Sequence, residues 1–264
     1  MTSHPGIVVA ALTWNLFHGR DYPPEGSAVH ADAKRSLLDE FASVLDGLRW
    51  DIALLQEAPP RWLVPLGRRC RAGGALALTS RNELAPLRAA IADRFPDLIK
   101  SNEGGSNMVL VRAPATIEAV ERHRLARRPE RRTLLLARVV GPGGRRIAVA
   151  NMHLSVPSTE QGEAELLAAA ERAVRFAGGD LLILGGDLNL RPRQHAHAFA
   201  EAKRRFGLTP PTAPKAIDHL LVRGLEVVEA PQALAPAARE VQEPDGRRLR
   251  LSDHAPVTGA FGMR

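Results

Sequence analysis

One cysteine, Cys70, stands in the whole chain. A single thiol builds neither a disulfide framework nor a thiolate zinc site, and it fits a reducing compartment. Aromatic side chains are scarce as well: seven Phe, three Trp and one Tyr. That supply leaves little for a stacking platform of the kind that grips single-stranded nucleic acid. No stretch nears the ~20 apolar residues that a membrane-spanning helix needs. The start lacks the basic region and long apolar run of a secretory leader. Ile7–Thr13 therefore reads as a strand, and the protein as soluble and cytoplasmic. Lysine is nearly missing, with only Lys34, Lys100, Lys203 and Lys215. No Gly-Lys pair occurs, which excludes a P-loop.

What is present is a chain of 264 residues, 45% hydrophobic and 25% charged, with a net charge of +7. That length buries a full core as one large α/β domain, and no linker-like boundary interrupts residues 1–264. The basic surplus favours polyanionic partners. A general drift toward arginine and alanine weakens that signal, although arginine suits bidentate phosphate contact. Nucleic acid is the favoured phosphate-ester partner, and a monomer is expected.

The most informative pattern is an internal echo. The first half runs from strand Ile7–Thr13 to a polar tip at Asn15, a helix near Asp32–Leu48, then Asp51-Ile-Ala-Leu-Leu-Gln-Glu57. The second half runs from strand Arg146–Ala150 to polar Asn151 and His153, a helix near Ser158–Ala177, then Asp180-Leu-Leu-Ile-Leu-Gly-Gly-Asp187. Leu37, Phe41, Val44, Leu45 and Leu48 make an apolar stripe of helical period, with Asp32 as its cap. Ser158 and Gln161 resemble a capping box, and Gly178-Gly179 stops the second helix. Ile52–Leu55 and Leu181–Leu184 fit strands covered on both faces. Further helices are predicted over Asn82–Arg94 and from Pro192 to about Phe206. Further strands are predicted near Leu76–Thr79, Asn107–Val111, Thr133–Val140, Ile217–Val222, Leu225–Val228 and Pro256–Phe261. Gly141–Gly144 reads as a hairpin turn, and Ala230–Arg250 as a surface excursion.

Acids, amides and imidazoles stand directly after the apolar runs: Asn15, Glu57, His153, Asp187, Asn189, Asp218, Asp253 and His254. Ligands of α/β proteins sit beyond strand ends. This donor set suits a hard cation that offsets charge on a phosphate ester, with a carboxylate to direct water and an imidazole to move a proton. Taken singly, each residue also has a structural reading, as a turn former, a cap or a core histidine. Other chemistries lack their parts. Gly104-Gly-Ser106-Asn-Met108 has methionine where a nucleophile elbow needs its last glycine. His195-Ala-His197 lacks nearby partners for zinc and reads as a helix-surface pair.

The order of these motifs is more telling than any one of them. Thr13-Trp-Asn15, Leu55-Gln-Glu57, Asn151-Met-His153-Leu, Gly186-Asp187-Leu-Asn189, Ile217-Asp218-His219 and Ser252-Asp253-His254 together resemble the endonuclease/exonuclease/phosphatase superfamily. The resemblance spans about Ile7 to Phe261. It implies a four-layered αββα sandwich, two mixed sheets packed face to face with helices outside. It implies a phosphoesterase using Mg²⁺, or Mn²⁺ in its place. A phosphodiesterase or nuclease is favoured; a phosphomonoesterase or lipid- or inositol-headgroup phosphatase is the alternative, and a catalytically silent binding module a third reading. By matching motif, Asn15, Glu57 and Asp253 are implied at the metal, with Glu57 a direct ligand. Asp187 is implied to position or activate water, held by Asn189. His153 touches the scissile phosphate, and His254, oriented by Asp218, carries charge or a proton. Asn107 and Arg132 are the candidate substrate contacts, Arg132 being the best placed of a basic run Arg122–Arg132. Glu57 is followed by Ala58-Pro59, unlike many abasic-site enzymes of that group.

Overall fold

A computed structural model of the chain describes residues 7–23, 35–80, 91, 104–128, 130–156, 159–210 and 212–263. Alternating burial organises it into four layers. The larger sheet runs, in spatial order, through β11 (Glu226–Ala233), β14 (Val257–Met263), β1 (Ile7–Asn15), β3 (Ile52–Ala58), β5 (Ser106–Arg112) and β4 (Ala72–Leu78). The second runs through β10 (Asp218–Arg223), β9 (Leu181–Asp187), β8 (Arg146–His153), β7 (Arg132–Val140) and β6 (Thr116–Ala126). Inward residues of both sheets meet: Ala11, Leu54, Val109 and Val111 against Leu135, Val149, Ile183 and Leu220. Outward residues of the larger sheet, Leu12, Trp14 and Leu55, pack on α1 (Leu38–Gly47) and α2 (Leu63–Arg69). Outward residues of the second sheet, Ala148, Ala150, Leu182 and Leu184, pack on α3 (Thr159–Ala177) and α4 (Ala196–Phe206). Strands buried on both faces carry continuous apolar runs for this reason.

The internal echo is a repeated parallel crossover. β1 and β3 are parallel with α1 between them in sequence, and β8 and β9 are parallel with α3 between them. The final registers, Asn15 opposite Gln56 and His153 opposite Asp187, bring the polar tips to the carboxyl ends of both strand pairs. Polar side chains also join the sheets at depth. Asn151 is fully buried; its amide donates to Leu55 O at 2.9 Å and Met108 O at 2.8 Å, and its Oδ1 accepts from Gln56 Nε2 at 2.7 Å.

The Ala230–Arg250 excursion is more ordered than expected. Part of it belongs to β11, and β12 (Glu240–Gln242) pairs with β13 (Arg248–Leu251), which pairs with β2 (Asp21–Tyr22), in a three-stranded sheet. β6 was not expected at all. Its eleven residues alternate only weakly because it is an edge strand with charged side chains in water. Nor was α2 expected, since Pro65 and Gly67 sit inside its seven residues. The caps Asp32 and Ser158, and the helix over Asn82–Arg94 apart from residue 91, lie outside the described residues. No described helix is long and apolar enough to cross a membrane.

Candidate active site

The carboxyl ends of β1, β3, β8 and β9 deliver Asn15, Glu57, His153 and Asp187 to one place. Asn15 links them: its amide nitrogen lies 3.0 Å from Asp187 Oδ2 and 3.3 Å from Glu57 Oε1. His153 spans the same two acids, with Nδ1 3.7 Å from Glu57 Oε1 and Nε2 3.5 Å from Asp187 Oδ2. β10, the antiparallel neighbour of β9, starts at Asp218, directly opposite Asp187. The loop from β13 to β14 adds His254, whose Nδ1 lies 2.8 Å from Asp218 Oδ2 and whose Nε2 lies 3.7 Å from Asp187 Oδ2. Asn189 donates its backbone N–H to Asp187 Oδ1 at 3.1 Å, and its amide ties back to Leu154 O at 3.0 Å. Asp253 sits at the rim, a third exposed, with Oδ1 3.9 Å from His254 Nε2.

Backbone strain marks the same spot. Glu57, Asn189 and Ser252 hold φ of 48°, 52° and 65°, in the left-handed region that non-glycine residues avoid. At Glu57 a register irregularity between Leu55 and Ala58 turns two successive side chains to different tasks. Gln56 enters the inter-sheet layer, where Nε2 meets Asn151, while Glu57 faces the histidines. Ser252 fastens the loop: its hydroxyl donates to Asn15 O at 2.6 Å and accepts from His254 N at 3.0 Å. Trp14 Nε1 donates to His254 O at 2.9 Å. Gly186, at φ 134°, lies so close to β8 that a Cβ there would meet Met152 O at 1.9 Å.

The electrostatics divide the groups by role. Burial alone would raise the Glu57 pKa, but the hydrogen bond and charge of His18, with His153 and the Asn15 amide, outweigh it and hold the carboxyl at about 2. Burial raises Asp187, and the Asp218 charge adds to it, against attraction from His153 and His254. Burial lowers His153, and the Arg132 guanidinium lowers it further, against the pull of Asp187 and Glu57. Burial also opposes charge on His254, yet the Asp218 hydrogen bond and the charges of Asp218, Asp187 and Asp253 lift it to about 10. The site thus holds a neutral imidazole and an imidazolium side by side.

Two donor groups bear on a cation. Asp187, Asp218 and His254 bring one ligand atom each within 4.8 Å of one another. An imidazolium is a poor ligand, so His254 is the weak member of that set. The Glu57 side is chemically better: an ionised carboxylate, beside the Asn15 amide, whose nitrogen donates to Glu57 and Asp187 and whose oxygen accepts from Phe17 N. Asp218 Oδ1 is buried with no hydrogen-bond partner, as an oxygen reserved for an absent donor or cation would be. The residues therefore fit a hard divalent ion.

His18, passed over in the sequence, lies three residues beyond Asn15. Its Nε2 is 3.0 Å from Glu57 Oε2. The turn from Phe17 to Gly19, with Phe17 N donating to Asn15 Oδ1 at 2.9 Å, brings it back. Its place three residues past a strand tip was the available signal. Asn107 is fully buried and gives its amide to Thr133 O at 2.6 Å; its Oδ1 is buried without a partner. Arg132 is 6% exposed, pairs with Glu130 at 2.6 Å, and keeps a buried Nε without a partner. Of the basic run, Arg122 donates to Leu76 O at 2.7 Å and Arg131 to Ser80 O at 3.3 Å, fixing backbone. Arg124, Arg127 and Arg128 are exposed.

A four-layered sandwich with acids, amides and imidazoles gathered over its parallel strand ends defines the class. The family model for the endonuclease/exonuclease/phosphatase family matches residues 12–254. The chain belongs to that family. Similar solved structures share the fold at low identity. One is an endonuclease/exonuclease/phosphatase family protein from Bacteroides thetaiotaomicron, 13% identical with a TM-score of 0.68, covering 99% of this chain and 100% of that one. A mannosyl-6-phosphatase of the same organism is 13% identical with a TM-score of 0.67, covering 96% of this chain and 99% of that one. Truncated Caenorhabditis elegans TDP2 is 17% identical with a TM-score of 0.62, covering 98% of this chain and 99% of that one. No curated protein matches the chain significantly.

Proposed function

We propose that the chain is a divalent-metal-dependent phosphoesterase. One observation carries this reading: Asn15, His153 and His254, from two strand ends and a distant loop, all converge on the buried carboxylate of Asp187. Glu57 would hold the ion directly, with Asn15 beside it and Asp253 reaching it from the rim. A Mg²⁺ or Mn²⁺ ion bound there would supply positive charge to the phosphoryl oxygens and to the attacking water. Asp187, raised by burial, accepts or orients the water proton while the Asn189 N–H fixes its other oxygen. His153, kept neutral, donates one N–H to a phosphoryl oxygen. His254, kept protonated by Asp218, neutralises charge growing on phosphorus or the departing oxygen. Arg132, whose charge bears on His153, and Asn107 remain the candidates for substrate contact.

Nucleic acid as the substrate is a second, narrower reading. The β6–β7 register sets Ala126 opposite Arg132, so exposed Arg124, Arg127 and Arg128 flank the end of the sheet that bears His153. The mannosyl-6-phosphatase among the similar folds supports a small phosphoester instead. A panel separates these: plasmid DNA, abasic duplex, RNA, bis-p-nitrophenyl phosphate, p-nitrophenyl phosphate and inositol phosphates, each with Mg²⁺, Mn²⁺ or EDTA. Turnover of at least one ester with metal and none in EDTA is expected. Metal-independent turnover, or none on any ester, contradicts the reading.

A further inference from the structure

The turn after β1 is strained at two successive residues. Phe17 and His18 hold φ of 47° and 55°, in the left-handed region that bulky side chains avoid. Such strain persists only where the surroundings over-determine it. Here they do. Phe17 N donates to Asn15 Oδ1 at 2.9 Å, Gly19 N to Leu16 O at 2.8 Å and Arg20 N to Phe17 O at 3.1 Å. Leu16 N donates to Gln56 O at 2.8 Å, which ties the turn to the residue before Glu57. Ser252 N donates to Arg20 O at 3.0 Å, which ties it to the loop that carries His254. Gly19 lies so close to the Trp62 ring that no Cβ fits between them.

This bracing delivers one contact. His18 Nε2 stands 3.0 Å from Glu57 Oε2, with each side chain 21% exposed. The backbone of Gly105 closes one flank: a Cβ there would meet His18 Cε1 at 3.3 Å and Glu57 Cα at 3.4 Å. Glu57 is itself left-handed, at φ 48°, so strained backbone holds both members of the pair. A partly exposed ion pair stabilises a fold less than such strained residues cost. The pair therefore has a use beyond stability.

Its spacing indicates which. Two ligand atoms on adjacent corners of an octahedron, with bonds of about 2.1 Å, stand about 3.0 Å apart. The other nearby imidazoles are placed differently. His153 Nδ1 is 3.7 Å from Glu57 Oε1, and His254 Nδ1 is taken by Asp218 at 2.8 Å. We propose that His18 is a nitrogen ligand to the ion held by Glu57, and that it shifts the choice of ion from Mg²⁺ toward first-row transition metals. A ring that binds through Nε2 carries its proton on Nδ1. Mg²⁺ takes oxygen ligands, whereas a site containing imidazole favours divalent ions in the rising order Mn²⁺, Fe²⁺, Co²⁺. The proposal rests on the phosphoesterase reading for the presence of an ion at Glu57.

His18→Gln keeps an N–H donor for Glu57 and removes the ring nitrogen. Calorimetric titration of wild type and variant with Mg²⁺, Mn²⁺ and Co²⁺, without any ester, separates ligation from positioning. Co²⁺ affinity should fall about tenfold or more in the variant, Mn²⁺ affinity less, and Mg²⁺ affinity by under about threefold. Pulsed electron paramagnetic resonance of substoichiometric Mn²⁺ gives a second readout, which in wild type needs no variant to fold. Wild type should show the hyperfine coupling of a directly bound nitrogen, and His18→Gln should lack it. Equal losses for Mg²⁺ and Co²⁺, no nitrogen coupling in wild type, or coupling that survives His18→Gln would overturn the proposal. Metal-dependent hydrolysis without nitrogen coupling would sink the His18 assignment and leave the hydrolytic reading standing. Nitrogen coupling lost in His18→Gln, with no ester hydrolysed, would uphold His18 and count against the hydrolytic reading alone.

Discussion

His254 Nδ1 lies 2.8 Å from Asp218 Oδ2, and that pair points the other ring nitrogen at Asp187, 3.7 Å away. An imidazole so placed keeps its charge despite burial. His254→Ala removes the positioned cation and is expected to lower kcat by roughly 10²-fold or more. Steady-state kinetics on the best ester at saturating Mg²⁺ check this; an unchanged kcat would end the assignment.

The same pair sets a pH dependence of stability. The folded His254 pKa is about 10, above the ~6.5 of an unfolded histidine. A raised pKa contributes stability that is fully present below pH ~6.5 and is lost as pH rises through about 10. In EDTA, the urea-midpoint gap between wild type and Asp218→Asn should be widest near pH ~6 and close toward pH ~10. A gap that widens with rising pH would contradict the pairing.

Glu57 is the anchor assigned to the ion. Glu57→Gln keeps the shape and deletes the charge, so the Mg²⁺ concentration for half-maximal activity should rise by about tenfold or more. A Mg²⁺ titration indistinguishable from wild type would remove Glu57 from the metal site.

Gly186 carries the strand-end geometry. With φ at 134° and a Cβ 1.9 Å from Met152 O, Gly186→Ala forces β8 and β9 apart. Destabilisation of about 3 kcal/mol or more is expected in urea unfolding, or failure to fold. A loss under about 1 kcal/mol would show that the close approach is slack.

Much of this was legible from residue order. The strand–helix–strand echo became the two parallel crossovers, because long amphipathic helices and buried apolar runs write their periods plainly. Asn15, Glu57, His153 and Asp187 stood out as polar residues at or next to the ends of apolar strands, whereas His254 stood out only through the Ser252-Asp253-His254 motif. What escaped lacked a local signal. β6 is an edge strand dressed in charge, and α2 is short and broken by proline and glycine. His18 reaches Glu57 through a turn with φ of 55°, which no period encodes. His195, expected on a helix surface, is buried against Glu163, 32 residues earlier, a pairing that only the packing of α3 against the loop after β9 creates. The burial of Asn107 and its bond to Thr133 O likewise depend on the facing sheet, which its own strand does not reveal.

The most direct measurement is turnover by Asp187→Ala, using whichever phosphoester the wild type hydrolyses fastest with Mg²⁺. Circular dichroism should match wild type, since Asp187 serves the cleft and not the core. The account predicts loss of nearly all turnover, on the order of 10³-fold. Activity within about tenfold of wild type would contradict it.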